Sequence, residues 1–415
     1  MEELVKITSD LSHFLWGMPV PVILIGTGIF ISIVFNGSFI FRWITHFRNT
    51  YGQVFKPVGG TGTISSFAAA CTAMSNTIGT GNIAGVSTAI AAGGPGALVW
   101  MWVTGFLGCS TKAAEIIIGQ RYLVKFDNVD EYVCDRSFAM RNAFGWKILP
   151  FILAIATSLA TPWVCIVQVE SVSSACVEAF NANSYFVIGI VGISVLAVIA
   201  GGLRRISQVM ETCIPFMAIA YMLGVFVILV MYYDQIIPTF ELIFTCAFSP
   251  TAAVGGFAGA TVRDAMRYRV ARGMFSNDAG LGYGIIAHSP ATTDHPVRQG
   301  SWGWGEVFVD TIVIYTMSGL AILMTGVYHT RPDVSVSSYV TAAFGEAFGV
   351  FGGGYAAIIV CLFAWTTIIG TYYASENTVK YLIGDNKWTR IACYCYMIYF
   401  ILPGTFFAGL DAALL

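Results

Sequence analysis

The sequence predicts an all-α polytopic membrane protein, built as an inverted five-plus-five helix repeat with two broken helices and a peripheral N-terminal helix. Three observations carry this expectation. Of 415 residues, 56% are hydrophobic and 11% charged, with a mean hydropathy of +0.73, whereas a soluble domain has about a quarter of its residues charged. Apolar runs of roughly 20 residues, the length that crosses a bilayer at about 1.5 Å per residue, recur along the chain. One such run is interrupted by Ser75-Asn76-Thr77-Ile78-Gly79-Thr80-Gly81-Asn82, and the pattern S-N-x-x-G-x-G returns in a second run as Ser276-Asn277-Asp278-Ala279-Gly280-Leu281-Gly282.

In chain order the spans fall near residues 16–41, 63–91, 95–120, 147–177, 184–200, 210–233, 253–288, 302–327, 353–379 and 389–410, with a shorter amphipathic piece from Ser337 to Val350. Residues 1–62 hold the peripheral span, 63–233 the first five-helix unit, and 234–415 the second. The second unit shows four clear spans before Leu415, so its last helix is expected to be missing. Lys and Arg concentrate in alternate connections, 15 of 21, including Arg42, Arg48, Lys112, Arg136, Arg204, Arg298, Lys380 and Arg390. By the positive-inside rule these connections are internal and the N-terminus is outside. Arg263, Arg267, Arg269 and Arg272 are the exception, falling in the outer half of span seven beside Asp264. With this alternation the two interrupted spans run in opposite directions, which makes the repeat inverted.

A helix broken at mid-membrane depth frees N–H and C=O groups that lipid cannot satisfy, so the break faces protein, water or a ligand. Glycine-interrupted spans at corresponding places in two halves point to a solute site between them. Other classes find little support. A net charge of −2 gives no basic footprint for nucleic acid. The ten cysteines are scattered without paired metal spacing and read as small buried hydrophobes. No HExxH or G-x-S-x-G occurs, so no catalytic residue is expected. Met1 to Asp10 lacks the basic start of a cleavable signal.

Several stretches together resemble the alanine or glycine:cation symporters, also called sodium:alanine symporters. They are Gly79-Thr80-Gly81-Asn82-Ile83-Ala84-Gly85-Val86, Gly93-Gly94-Pro95-Gly96-Ala97 with Trp100-Met101-Trp102, Gly201-Gly202-Leu203-Arg204-Arg205-Ile206, Arg272-Gly273-Met274-Phe275 running into the second break, and His295-Pro296-Val297-Arg298-Gln299-Gly300. The resemblance covers nearly the whole chain and implies the leucine-transporter fold. Departures from the family pattern are Asp278 where Glu is usual, Tyr283 for a small residue, Thr371 near an expected Trp, and Ala113 inside the K-F-x-E motif that Lys112 and Glu115 otherwise fit. A Gly-Gly-Pro-Tyr-Tyr segment is absent.

The resemblance implies a small neutral amino acid as substrate, contacted by Thr77, Gly79, Thr80, Gly81 and Asn82 in the first break, by Phe275, Ser276 and Asn277 in the second, and by Gln168. Freed amides of Thr80 and Gly81 would take its carboxylate at a positive half-helix end; alternatively, Gly81 with Gly85 serves close helix packing. The resemblance also implies sodium as coupling ion, held by the carbonyls of Ser75 and Ile78 and the hydroxyls of Thr366 and Thr367, oxygen ligands suited to a hard cation. The alternative for both threonines is a bond to the carbonyl one turn back, and for Gln168 an interhelical hydrogen bond. Glu170, Asp278, Glu306 and Asp310 are intramembrane carboxylates and hence functional hypotheses. Asp278 either caps the second half-helix or handles the ion, and Asp310 is either functional or structural. His288 and His295 are expected to be solvated or at an interface. The expectation is sodium-coupled uptake of alanine or glycine across the cell membrane by alternating access. Its alternatives are an amino-acid-binding or sensor protein without full transport, and a proton-coupled transporter.

Overall fold

The computed structural model describes residues 10–11, 14–16, 19–54, 59–126, 131–248, 277–331 and 334–401. It is almost wholly helical: α1 (Pro19–Val34), α2 (Trp43–Asn49), α3 (Ser66–Thr77), α4 (Val86–Gly93), α5 (Ala97–Arg121), α6 (Arg136–Phe144), α7 (Ile148–Phe180), α8 (Ser184–Ile199), α9 (Gly202–Met231), α10 (Ile236–Phe248), α11 (Tyr283–His288), α12 (Pro296–Val307), α13 (Tyr315–Thr325), α14 (Tyr339–Phe348), α15 (Val350–Ile383) and α16 (Lys387–Ile401). Among the described residues, five helices are long and apolar enough to span a bilayer, Phe14–Val34, Ile148–Phe180, Gly202–Met231, Pro296–Thr325 and Phe351–Ile383, with Ser184–Ile199 a shorter apolar helix. The first part of span seven, with Arg263, Arg267, Arg269 and Arg272, lies outside the described residues.

The structure corrects the sequence expectations in five places. Helix α9 starts eight residues before 210, with exposed Arg204 and Arg205 in its first turns, and α12 starts before 302, where Gln299 and Ser301 are polar residues buried by other helices. Helix α10 was not anticipated; it lies over the α4–α5 corner, where the Trp100 indole donates to the Ala247 carbonyl at 3.0 Å. A two-stranded antiparallel hairpin, β1 (Val124–Phe126) and β2 (Glu131–Val133), occupies the connection after α5. Lys112 belongs to no connection: it sits inside α5 and is buried.

One core joins α3, α4, α5, α7, α8, α9, α13, α14 and α15. Helix α15 packs along α7, with Ser375 donating to Thr161 at 2.7 Å. Small residues on α3, Ala68, Ala69, Ala70 and Ala73, are all buried and let neighbouring backbones approach. Helix α1 lies against α5 and exposes Val22, Ile23, Ile29, Phe30 and Ile33, as a lipid-facing peripheral helix does.

The connections expected on one side of the membrane do meet at one end of the bundle. Thr63 accepts from the Tyr132 amide at 3.0 Å, the Ile64 carbonyl accepts from Thr292 at 2.7 Å, and Gln120 donates to the His288 carbonyl at 2.6 Å. Lys380 at the end of α15 lies 3.5 Å from Glu131 on β2 and 3.2 Å from Glu376, while Arg390 reaches Glu376 at 3.7 Å. Thr378 donates to Asp135 at 3.0 Å, and the other Asp135 oxygen caps α6 through the Ser137 amide at 2.6 Å.

Burial pushes the Glu131 carboxyl above the usual carboxylate range, against the pull of Lys380. The folded protein therefore binds this proton more tightly than the unfolded chain, and Glu131's share of stability falls as pH rises from about 4.5 through the raised value. Thermal unfolding of purified protein at pH 4.5 and 7 should show a smaller loss on raising the pH in Glu131→Gln than in wild type; identical pH profiles would contradict this account of Glu131.

Candidate functional site

Helix α3 begins with Ser65 accepting the Ala68 amide at 3.0 Å and stops at Thr77, where Ile78 turns out of helical geometry at φ −84° and ψ 89°. A wide π-type turn over Gly81–Gly85 restarts the helix, which continues as α4. The first break therefore covers Ile78 to Thr80, as the glycine spacing predicts. Its amides are accounted for one by one. Ile78 donates to the Met74 carbonyl at 2.7 Å. Gly79 donates to the Asn82 side-chain oxygen at 2.9 Å. The Thr80 amide and hydroxyl both donate to Gln168 Oε1 on α7, at 3.4 and 2.9 Å. Gln168 and Thr80, inferred separately from the sequence, thus face each other, and the interhelical bond that was the alternative for Gln168 is present.

Helix α15 closes the break from one side. A Cβ on Gly79 would lie 2.5 Å from Thr367 Oγ1, one on Gly370 would overlap Ser75 Oγ, and Thr371 donates to Asn76 at 3.4 Å. Ser75, Ile78 and Thr367 are all buried here. The Thr366 hydroxyl points elsewhere, with Met217 Sδ of α9 at 3.5 Å. Both threonine hydroxyls also donate to the Phe363 carbonyl, at 3.0 and 2.9 Å, the helix-internal bond expected of threonine in a membrane helix.

On the far side, Asn82 donates to Asp310 at 2.6 Å, and Thr311 donates to the other Asp310 oxygen at 2.9 Å. Asp310 sits in a second π-type turn, Phe308–Ile314, and ties the first break to the α12–α13 rod. The Tyr315 hydroxyl lies 3.8 and 3.5 Å from where Cβ atoms on Gly81 and Gly85 would be, so the glycine pair seats an aromatic side chain. Nothing in the sequence singles out Tyr315, since an aromatic in an apolar run looks like ordinary core.

The second break is described from Asn277 onward; Phe275 and Ser276 lie outside the described residues. Asn277 accepts the Ala279 amide at 3.0 Å and packs on Gly108 of α5. Asp278 and Gly280 have φ of 52° and 94°, and α11 starts at Tyr283 after Gly282 at φ 79°. Glu115 of α5 takes the amides ahead of α11, those of Gly280 at 2.5 Å and Gly282 at 3.2 Å. This corrects the capping role considered for Asp278: the carboxylate that caps the half-helix comes from a distant helix. Arg136 donates to the Leu281 carbonyl and stacks over the Tyr283 ring at 4.6 Å, which accounts for the large residue at position 283.

Beside the first break lies a buried ionic cluster. Glu306 Oε1 is 3.1 Å from Lys112 Nζ and accepts from the Thr77 hydroxyl at 3.2 Å, and Glu306 Oε2 is 3.2 Å from His288 Nε2. Gln299 places its nitrogen 2.8 Å from His288 Nδ1 and 3.4 Å from the Ser66 carbonyl. Since that carbonyl only accepts, the amide nitrogen faces it, Nδ1 acts as acceptor, and Nε2–H donates to Glu306. His288 is therefore buried and paired, so of the solvated or interface roles expected the solvated one is overturned; the apolar run ends near it, but its partner arrives from another helix. His295 is exposed and accepts the Val297 amide at the start of α12. Glu170 is half-buried on α7.

A helix interrupted in mid-bundle at Ile78–Thr80, and a turn from Asn277 to Gly282 that leads into α11, stand within a helical bundle of the leucine-transporter fold. The structure of MhsT in complex with L-phenylalanine superimposes with a TM-score of 0.62 at 14% identity, covering 85% of this chain and 82% of that one. The chain belongs to the sodium:alanine symporter family, whose model matches residues 1–410. It is 35% identical over 419 residues to the sodium/alanine symporter AgcS of Methanococcus maripaludis, covering 99% of this chain and 89% of that protein. It is also 33% identical to the putative sodium/proton-dependent alanine carrier protein YrbD of Bacillus subtilis, covering 98% and 84%. It is a transporter and not an enzyme.

Proposed function

We propose that this transporter carries a small neutral amino acid, alanine or glycine, into the cell with sodium, alternating access around the two broken helices, with its N-terminus outside. The observation that carries the reading is the first break, where Thr80 meets Gln168 and Gly79 meets Thr367 at one buried place. A substrate carboxylate would take the Thr80 amide and hydroxyl in place of the Gln168 oxygen, and that oxygen would receive the ammonium group, with Phe275, Ser276 and Asn277 proposed as further substrate contacts. Thr77, Gly81 and Asn82 are proposed as further substrate contacts in the first break. Sodium, a hard cation, suits the oxygen-only set of the Ser75 and Ile78 carbonyls with the Thr367 hydroxyl, and Thr366 supports that helix face from behind. A tenfold sodium gradient supplies about 1.4 kcal/mol, and one charge crossing about 100 mV about 2.3 kcal/mol, enough together for accumulation of several hundredfold. Replacing external sodium with choline should abolish concentrative alanine uptake; undiminished accumulation would overturn sodium coupling.

A proton as coupling ion is the second reading, favoured by the His288–Glu306–Lys112 cluster one hydrogen bond from Thr77. Uptake that persists without sodium and depends on pH would select it.

A further inference from the structure

We propose that Cys176 and Cys361 form an oxidisable dithiol whose closure clips α7 to α15. Their sulfurs lie 3.4 Å apart although 185 residues separate them in the chain. That is van der Waals contact; a disulfide has S–S of about 2.05 Å, so closure needs about 1.4 Å of sulfur movement. Both residues are half-buried.

Cys176 sits near a helix end that a water-soluble reagent can reach. Cys176 lies four residues before the end of α7 at Phe180, about 6 Å along the axis. The 33 residues of α7 extend about 50 Å, beyond the roughly 30 Å of hydrocarbon, so its last turn stands near the headgroups. This end of the bundle is opposite the β1–β2 hairpin. On the topology proposed above it faces outside, where disulfides persist; the dithiol itself does not depend on that topology.

The reaction balances with a small-molecule disulfide as oxidant. The thiolate of one cysteine attacks it, forming a mixed disulfide and releasing one small thiol, and the thiolate of the other cysteine then displaces the second. Two protein S–H bonds are lost, one S–S bond is gained, and the oxidant leaves as two thiols. The bond would join the helix bearing Gln168 to the helix bearing Thr367 and Thr371.

The test treats the full chain in detergent with dipyridyl disulfide, alkylates remaining thiols, and maps peptides by mass spectrometry without reductant. The expected product is a cross-linked pair holding Cys176 and Cys361, two hydrogens lighter than the reduced peptides together, reversed by reductant and absent from Cys176→Ser and Cys361→Ser. Mixing isotope-labelled and unlabelled protein should give only pairs within one copy. The proposal fails if both cysteines remain alkylated while exposed Cys395 is consumed, if the mixed disulfide persists at either position, or if the link joins two copies.

Discussion

Replacing Lys112 with methionine is expected to destabilise the protein by on the order of 3 kcal/mol or more, because it leaves the buried carboxylate of Glu306 without its cation. Lys112 and Glu306 are both fully enclosed, with Nζ and Oε1 3.1 Å apart, and the remaining partners of Glu306 are the neutral donors His288 and Thr77. Methionine keeps most of the lysine stem's volume, so the loss is one of charge balance more than packing. The double variant Lys112→Met with Glu306→Gln removes both charges and should recover a large part of the loss, since two residues in one ion pair couple. Thermal unfolding of the three purified proteins reads this directly. A single variant as stable as wild type would mean that the pair carries no such charge balance.

The second large effect is expected at Gly79. A methyl group there would stand 2.5 Å from Thr367 Oγ1 and 3.5 Å from its Cβ and Cγ2. The break and α15 must then separate, and a displacement near 1 Å of positioning groups lowers rates about 100-fold. Gly79→Ala should therefore lower sodium-dependent alanine uptake by about that factor, with the protein still folded in detergent. Gly353→Ala on the same α15 meets nothing within 4 Å and serves as the control that should transport normally. Equal uptake by both variants would remove the close approach from the account.

The two breaks were legible because their chemistry is local: paired glycines and small polar residues weaken a helix wherever they fall, and Gly79 and Gly280 are written in the chain. Five of the ten expected spans were legible for the same reason, and they appear among the described residues as helices long and apolar enough to cross a bilayer. What escaped is set by partners far apart in sequence. Glu115 caps α11 across 165 positions, and His288 is buried because Glu306 turns toward it from α12. The hairpin was not visible because strands of three residues are too short to show alternation. One signal was available and underused: Lys112 stands within an apolar run, and a lone ammonium there requires a buried carboxylate. The adjacent pair Thr366 and Thr367 looked equivalent in the sequence, but consecutive residues on a helix face directions about 100° apart, and the structure turns one toward Met217 and the other toward Gly79.

That divergence gives the most direct test of the central claim, that a coupling ion sits between the first break and α15. Sodium-dependent uptake of labelled alanine should be measured in proteoliposomes carrying wild type, Thr367→Ala and Thr366→Ala. The account predicts uptake that requires sodium, a rise of about tenfold or more in the sodium concentration for half-maximal uptake in Thr367→Ala, the loss of roughly 1.4 kcal/mol of ion binding, and little change in Thr366→Ala. Equal sodium dependence in all three proteins, or a larger shift in Thr366→Ala, would contradict it.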